Sequence, residues 1–384
     1  MTLFTFEKET CALPQNYTVV PPVHFHVDRI IFTKGSLDTP ERQRFVNHIC
    51  AIYPDSEKVE QLDTPHNRVK LSPGDPLGRH KAGKRTLVFG VLGNSVRFSH
   101  EEGNTCPNYW HFSTTGFCFF DCKYCYLAGT PGVWFSPTVK IYVNIEDIIS
   151  RINRYSNKIR KPTAFYLGKL QDGLSLDPLT AYSTVLVPFF AKHPYARQII
   201  LTKSDSVDRF LELEHKKHTI LSWSLNPHEI ASKFESNVPS VAKRIAAMKA
   251  CANKGYPVRA VLMPVIPVDG WLDLYSEFIR ELLRDVPLQR LTIGGICSYK
   301  NASALMERKL GQENMISKAM AANRSVCDGR QRYPIDSRVE MYSHLIDAAK
   351  QARPDLEIAL CLEEKEVWKN LGIENQMGKC NCVL

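Results

Sequence analysis

The chain has 384 residues, 44% of them hydrophobic, which suits one large or two moderate domains and excludes disorder as its dominant state. No apolar run approaches the length of a membrane span, and the opening MTLFTFEKETCALPQ lacks a basic region followed by an apolar core, so neither an anchor nor a signal peptide is expected. The formal net charge of +9 admits a polyanionic partner such as DNA without requiring one, and twelve Cys fit a reducing, cytoplasmic compartment better than a disulfide framework.

Residues 1–20 predict irregular structure, 28–33 a strand, and 39–53 a helix with Thr39 as N-cap and Pro40 at its first position. The prolines and glycines from Pro65 to Gly78 predict a turn-rich stretch, and 86–92 another strand. These make an N-terminal extension over 1–105. Two basic runs, Arg79, Lys81, Lys84 and Arg85, then Lys158, Arg160 and Lys161, suit a polyanion or plain solvated surface equally well. From residue 110 strands and helices alternate. Strands are expected at 110–117, 163–167, 198–202, 219–225, 258–263 and 290–293, with helices at 144–155, 178–192, 207–213, 239–253 and 272–283. Six such units predict an α/β fold, a partial (β/α)6 barrel over 106–300, with chemistry at the C-terminal ends of its strands. Residues 301–384 form a looser C-terminal region with helices at 302–310, 337–353 and 365–371, a strand at 356–362, and a Cys380-x-Cys382 tail whose thiols are expected to be exposed. No internal repeat or low-complexity run is visible.

The expected first barrel strand leads into Thr115-Gly-Phe-Cys118-Phe-Phe-Asp-Cys122-Lys-Tyr-Cys125-Tyr126. Three thiols at C-x3-C-x2-C spacing either pair or share a metal, and an odd set cannot pair fully. They suit an iron–sulfur cube, which normally takes four protein ligands, so that one iron keeps an open position. A zinc knuckle lacking a ligand, or three buried thiols, are the plainer alternatives.

This motif, with an aromatic residue before its last Cys, resembles that of the radical S-adenosylmethionine (radical SAM) enzymes. From about residue 25 to 360 the chain resembles spore photoproduct lyases. The landmarks are His66-Asn67, Pro73-Gly74, Lys84 to Val91, Cys122 to Leu127, Tyr142-Val-Asn144, Leu201-Thr-Lys203, Trp223-Ser-Leu-Asn226 and Asp269-Gly-Trp271, in that order. The resemblance implies a [4Fe–4S] cluster on Cys118, Cys122 and Cys125 that binds SAM at its open iron. One electron, from a donor such as flavodoxin or ferredoxin, then yields a 5′-deoxyadenosyl radical that abstracts hydrogen from a substrate. It also implies SAM contacts from Lys203, Ser224 and Asn226, and a SAM-contacting or relay role for Tyr124 and Tyr126. Strand-end capping and aromatic packing are the ordinary roles of such residues.

Two positions depart from the family. Its hydrogen-donating cysteine aligns with Lys169, whose ammonium cannot replace a thiol, and its lesion-contacting His-Arg pair falls near Ile296-Cys297. Cys297, Cys380 and Cys382 are therefore candidate replacement donors, with the last two also candidates for a redox pair or soft-metal ligands. Cys11, Cys50, Cys106, Cys251, Cys327 and Cys361 are expected to be small buried hydrophobes, Cys106 lying close to the cluster loop. The leading expectation is hydrogen abstraction from a small molecule or nucleotide in a biosynthetic pathway. The alternatives are a divergent DNA-repair lyase and a non-enzymatic iron–sulfur redox or binding protein.

Overall fold

The structure, a computed structural model, describes residues 12–71, 74–320 and 328–384. Pro73, Cys11 and Cys327 lie outside them. The main sheet has eight strands: β1 (Val96–Ser99), β2 (Tyr109–Phe112), β3 (Thr163–Leu167), β4 (Ala196–Thr202), β5 (Thr219–Leu225), β6 (Val258–Leu262), β7 (Arg290–Ile293) and β8 (Glu357–Leu360). Their spatial order follows the chain order. β1 is antiparallel to β2, and every later neighbour is parallel. Parallel neighbours need crossovers of one hand, which carries the connecting helices to a single face of the sheet. Side-chain alternation shows the two faces. Phe165, Leu167, Ile200, Leu221, Trp223 and Leu225 join the main core, whereas Ala164, Tyr166, Ile199 and Ile220 form a separate lumenal cluster. The described strands leave the sheet open between β1 and β8, so the barrel is partial. It has seven parallel strands rather than the expected six, because β8 of the C-terminal region pairs with β7.

A second sheet aligns Glu57–Gln61, Arg29–Thr33, Thr86–Gly90, Val139–Tyr142 and Thr115–Gly116. The residues Glu57–Gln61, EKVEQ, carry no apolar alternation because they form a solvent-facing edge. The turn-rich reading of Pro65–Gly78 missed a helix, Pro76–Lys84. Asp75 caps it, accepting hydrogen bonds from the amides of Leu77 and Gly78, and Pro76 takes the first helical position. The helix expected over 178–192 is broken at Ala181, whose φ of +49° separates Asp177–Thr180 from Ser183–Lys192. Among the described residues no helix is long and apolar enough to cross a membrane.

The largest correction concerns the end of the sequence. Cys380 and Cys382 are not exposed; they are 2% and 9% accessible and pack on Ala164, Tyr166, Ile199 and Ile220 inside the lumen. The cause is electrostatic. The register β5–β6–β7–β8 places Ser222, Arg259, Arg290 and Glu357 side by side. Arg259 donates to the carbonyls of Asn381 (3.3 Å) and Val383 (2.6 Å). Arg290 donates to those of Cys380, Val383 and Leu384 and to the Glu357 carboxylate. Ser222 donates to the Asn381 side chain. Residues 380–384 thus supply the acceptors that two buried guanidinium groups require.

Candidate functional site

The cysteine loop is held from below by buried cations. Lys84, part of an expected surface run, is instead 7% accessible and donates to the carbonyls of Cys118 and Phe120. Its ammonium lies 4.4 Å from the centre of the Phe117 ring. Phe117 itself adopts a left-handed φ of +63°, which turns the chain into the loop. Lys309 donates to Asp121 and to His80. Asp121 and Cys122 pair with Ser236 and Glu235 in a two-residue ladder, which brings a distant carboxylate to the loop.

Glu235 organises the ground beside the cysteines. Its carboxylate accepts from the Tyr124 hydroxyl, from Lys203 Nζ at 2.9 Å and from Arg244 at 2.5 Å. Burial pushes this carboxyl up, but the Lys203 and Arg244 charges and the tyrosine hydrogen bond overcome it and hold it at about 2. Lys203 Nζ also donates to Ser224 Oγ at 2.7 Å. Asp172 fixes the base of this corner, accepting from Thr202 Oγ1 and from the amides of Lys203, Leu174 and Ser175.

Cys118, Cys122, Cys125, Tyr124, Tyr126, Lys203, Ser224, Cys297, Cys361 and Cys382 all line one cavity of about 210 Å³. It lies at the C-terminal ends of the parallel strands, where such folds place chemistry. Three thiols from one loop, facing a lysine and a serine across a cavity, fit a cube ligated three times with one open iron. Burial pushes the Cys118 thiol up and the Cys122 thiol to about 12, so loading a metal here displaces protons. Among the described residues no group of three or more His, Cys, Asp or Glu stands in ready metal-binding geometry, the loop cysteines included.

The other sequence candidates divide. Asn226 does not line the cavity; it is fully buried, and its side-chain oxygen accepts from Tyr275. Tyr126 lines it and donates to the Lys169 carbonyl. The Lys169 ammonium is held by Glu101 (2.7 Å) and Ser99 (2.9 Å). Cys297 sits on a short strand paired with Arg330–Arg332, and burial pushes its thiol up to about 11. Cys380 lies behind Cys382 and does not line the cavity. Sequence reasoning missed Glu235, Arg244 and Asp172, since isolated charges carry no spacing signal. It also gave Cys361 a core role, although Cys361 faces the cavity.

Residues 25–294 match the family model described as spore photoproduct lyase. The chain is 31% identical over 226 residues to the spore photoproduct lyase of Geobacillus sp. (strain Y412MC61) and 30% identical over 227 residues to that of Bacillus subtilis (strain 168). Each match covers 58% of this chain and 64% of the relative, so the chain aligns with under two thirds of their length. Among solved structures, a spore photoproduct lyase double mutant with bound AdoMet and dinucleoside spore photoproduct superposes with a TM-score of 0.75 at 24% identity, over 87% of this chain and 98% of that one. That likeness supports the fold.

Proposed function

The chain belongs to the spore photoproduct lyase family, and from that premise we propose that it is a radical SAM enzyme acting on a small molecule or nucleotide. The observation that carries the reading is the single cavity shared by Cys118, Cys122, Cys125, Lys203 and Ser224. A [4Fe–4S] cluster and SAM, with one electron from an external donor, would supply hydrogen abstraction by a 5′-deoxyadenosyl radical there. Cys118, Cys122 and Cys125 would hold the cluster. Lys203, aimed by its bonds to Glu235 and Ser224, would meet the methionine carboxylate of SAM.

Cys297 returns the hydrogen. Lys169 stands where the resemblance places the family's donor, and its ammonium is engaged by Glu101 and Ser99. Cys297 opens on the cavity, and burial keeps it a thiol at neutral pH; only an S–H bond holds an atom to give. The S–H breaks, the substrate carbon gains a C–H bond, and the sulfur radical is restored by one electron from the donor and one proton from solvent.

The test is anaerobic reconstitution with iron, sulfide, SAM and dithionite. Release of 5′-deoxyadenosine is expected, falling by about 100-fold or more in Cys118→Ala, because two thiolates do not hold a cube. Unchanged release from that variant overturns the cluster assignment. In D2O the product should carry one deuterium at carbon, and Cys297→Ala should lose that label while still cleaving SAM. A label that survives places the donor elsewhere. A second reading, repair of a pyrimidine photoproduct in DNA, is favoured by the +9 charge and by the dinucleoside photoproduct named with the structural neighbour. It requires salt-dependent binding to irradiated DNA, and salt-independent or absent binding removes it.

A further inference from the structure

Four of the remaining cysteines meet at one point. Cys106 precedes β2, Cys361 follows β8, and Cys380 and Cys382 belong to the segment inside the lumen. Cys361 and Cys382 line the same cavity, Cys380 and Cys382 pack in one cluster, and the Thr105 amide bonded to the Glu363 carbonyl at 2.8 Å sets Cys106 beside the Cys361 segment. The Cys380 thiol interacts with those of Cys106, Cys361 and Cys382. We propose that Cys106, Cys361, Cys380 and Cys382 form a second metal site, holding one soft divalent ion of the zinc class as a closed tetrathiolate.

The arrangement favours a single ion over a cube. Zinc binds thiolate sulfur at about 2.3 Å, so a tetrahedron of four sulfurs has edges of about 3.8 Å, the span of a thiol–thiol contact. An iron–sulfur cube, with sulfide and iron between its ligands, spreads them farther apart. Every sulfur-bearing segment is also fixed from outside. The Cys361 amide donates to the Ile293 carbonyl at 2.9 Å. Thr105, beside Cys106, donates its amide and hydroxyl to the Glu363 carbonyl and accepts from Trp368. Arg290 holds the Cys380 carbonyl. Among the described residues no three His, Cys, Asp or Glu side chains stand in ready metal-binding geometry, so binding would move these thiols into place and expel their protons.

Charge supports the assignment. One divalent ion with four thiolates carries two net negative charges. Arg259 lies close enough to Cys380 and Cys382, and Lys169 close enough to Cys382, for direct electrostatic coupling. Arg259 and Lys169 thus face a site of charge minus two, with Glu101, the ion-pair partner of Lys169, acting on the Cys106 side. Four thiols leave no open position, which is the mark of a structural metal, whereas the three-thiol loop leaves one. The ion would tie the chain ahead of β2, the end of β8 and residues 380–384 together behind the cavity wall formed by Cys361 and Cys382.

The experiment separates this site from the cluster. In a Cys118→Ala/Cys122→Ala/Cys125→Ala chain purified without oxygen, elemental analysis should find about one zinc per chain and no acid-labile sulfide. Added Co2+ should replace it with thiolate-to-metal absorption and tetrahedral ligand-field bands. Cys361→Ser should lose the zinc, and Cys251→Ser, at a buried cysteine elsewhere, should keep it. Since Cys361→Ser could fail to fold, alkylation mapping of the loop variant gives an independent readout. Cys106, Cys361, Cys380 and Cys382 should be protected together and become reactive together when a chelator is added. Metal-free protein with four free thiols, a disulfide among them, or iron with sulfide would each overturn the proposal. None of these results depends on SAM cleavage.

Discussion

Glu235→Gln should lower stability by about 3–5 kcal/mol, because it leaves two buried cations without their counter-charge. The side chains of Lys203, Glu235 and Arg244 are 13%, 0% and 1% accessible, so solvent screens this triad little. Glutamine keeps the shape and one acceptor oxygen but removes the charge that both cations face. The sign of the pH dependence follows from the carboxyl. Its folded-state value is depressed from 4.5 to about 2, so its contribution is complete above 4.5 and is lost as pH falls through about 2. Urea midpoints of wild type and variant should differ most near neutrality, draw together below pH 4.5 and converge only below about pH 2. Adding Lys203→Met to the variant should recover part of the loss, since one uncompensated charge is then gone. A variant as stable as wild type at pH 7 would mean that the triad holds its geometry without contributing net stability. The same substitution should weaken SAM binding in the reconstituted protein, because Lys203 is then free to turn from the cavity.

The parts of this molecule visible in the sequence are those with local periodicity. β3, β5 and β7 were legible because each is a short apolar run between turn signals, and buried parallel strands are written that way. The cluster loop was legible because its ligands are close in sequence. Lys84 was not, since it belongs to a basic run and only the tertiary fold turns it inward under the loop. Pro76–Lys84 was hidden by its own cap, as Asp-Pro followed by Gly also marks a turn. Glu235 comes to Cys122 through a two-residue ladder across more than a hundred positions, and no spacing rule reaches that far. The thiol cluster around Cys380 has the same character. Its members are scattered from residue 106 to 382 and become neighbours only because the lumen arginines draw the last residues inside.

Deleting residues 380–384 should destabilise the protein by about 3–6 kcal/mol, counting two charged groups each stripped of acceptors. Arg259 would lose the Asn381 and Val383 carbonyls and keep Gln289, while Arg290 would lose three carbonyls and keep Glu357. Burial and the neighbouring Arg290 already press the Arg259 guanidinium down to about 9, which leaves it charged at neutral pH and in need of partners. Water entering the emptied lumen would satisfy some donors, so the loss stays below that of a dry, unpaired charge. Chemical denaturation separates the arginine effect from the metal effect. A full-length Cys380→Ser/Cys382→Ser chain keeps every backbone carbonyl and loses only the thiolates; the deletion loses both. If the carbonyls dominate, the deletion unfolds at distinctly lower urea than the serine variant, and Arg259→Met within the deletion recovers stability because an apolar side chain suits the vacated lumen. If the two variants instead fall together and Arg259→Met recovers nothing, the metal rather than the guanidinium pair holds residues 380–384 in the barrel.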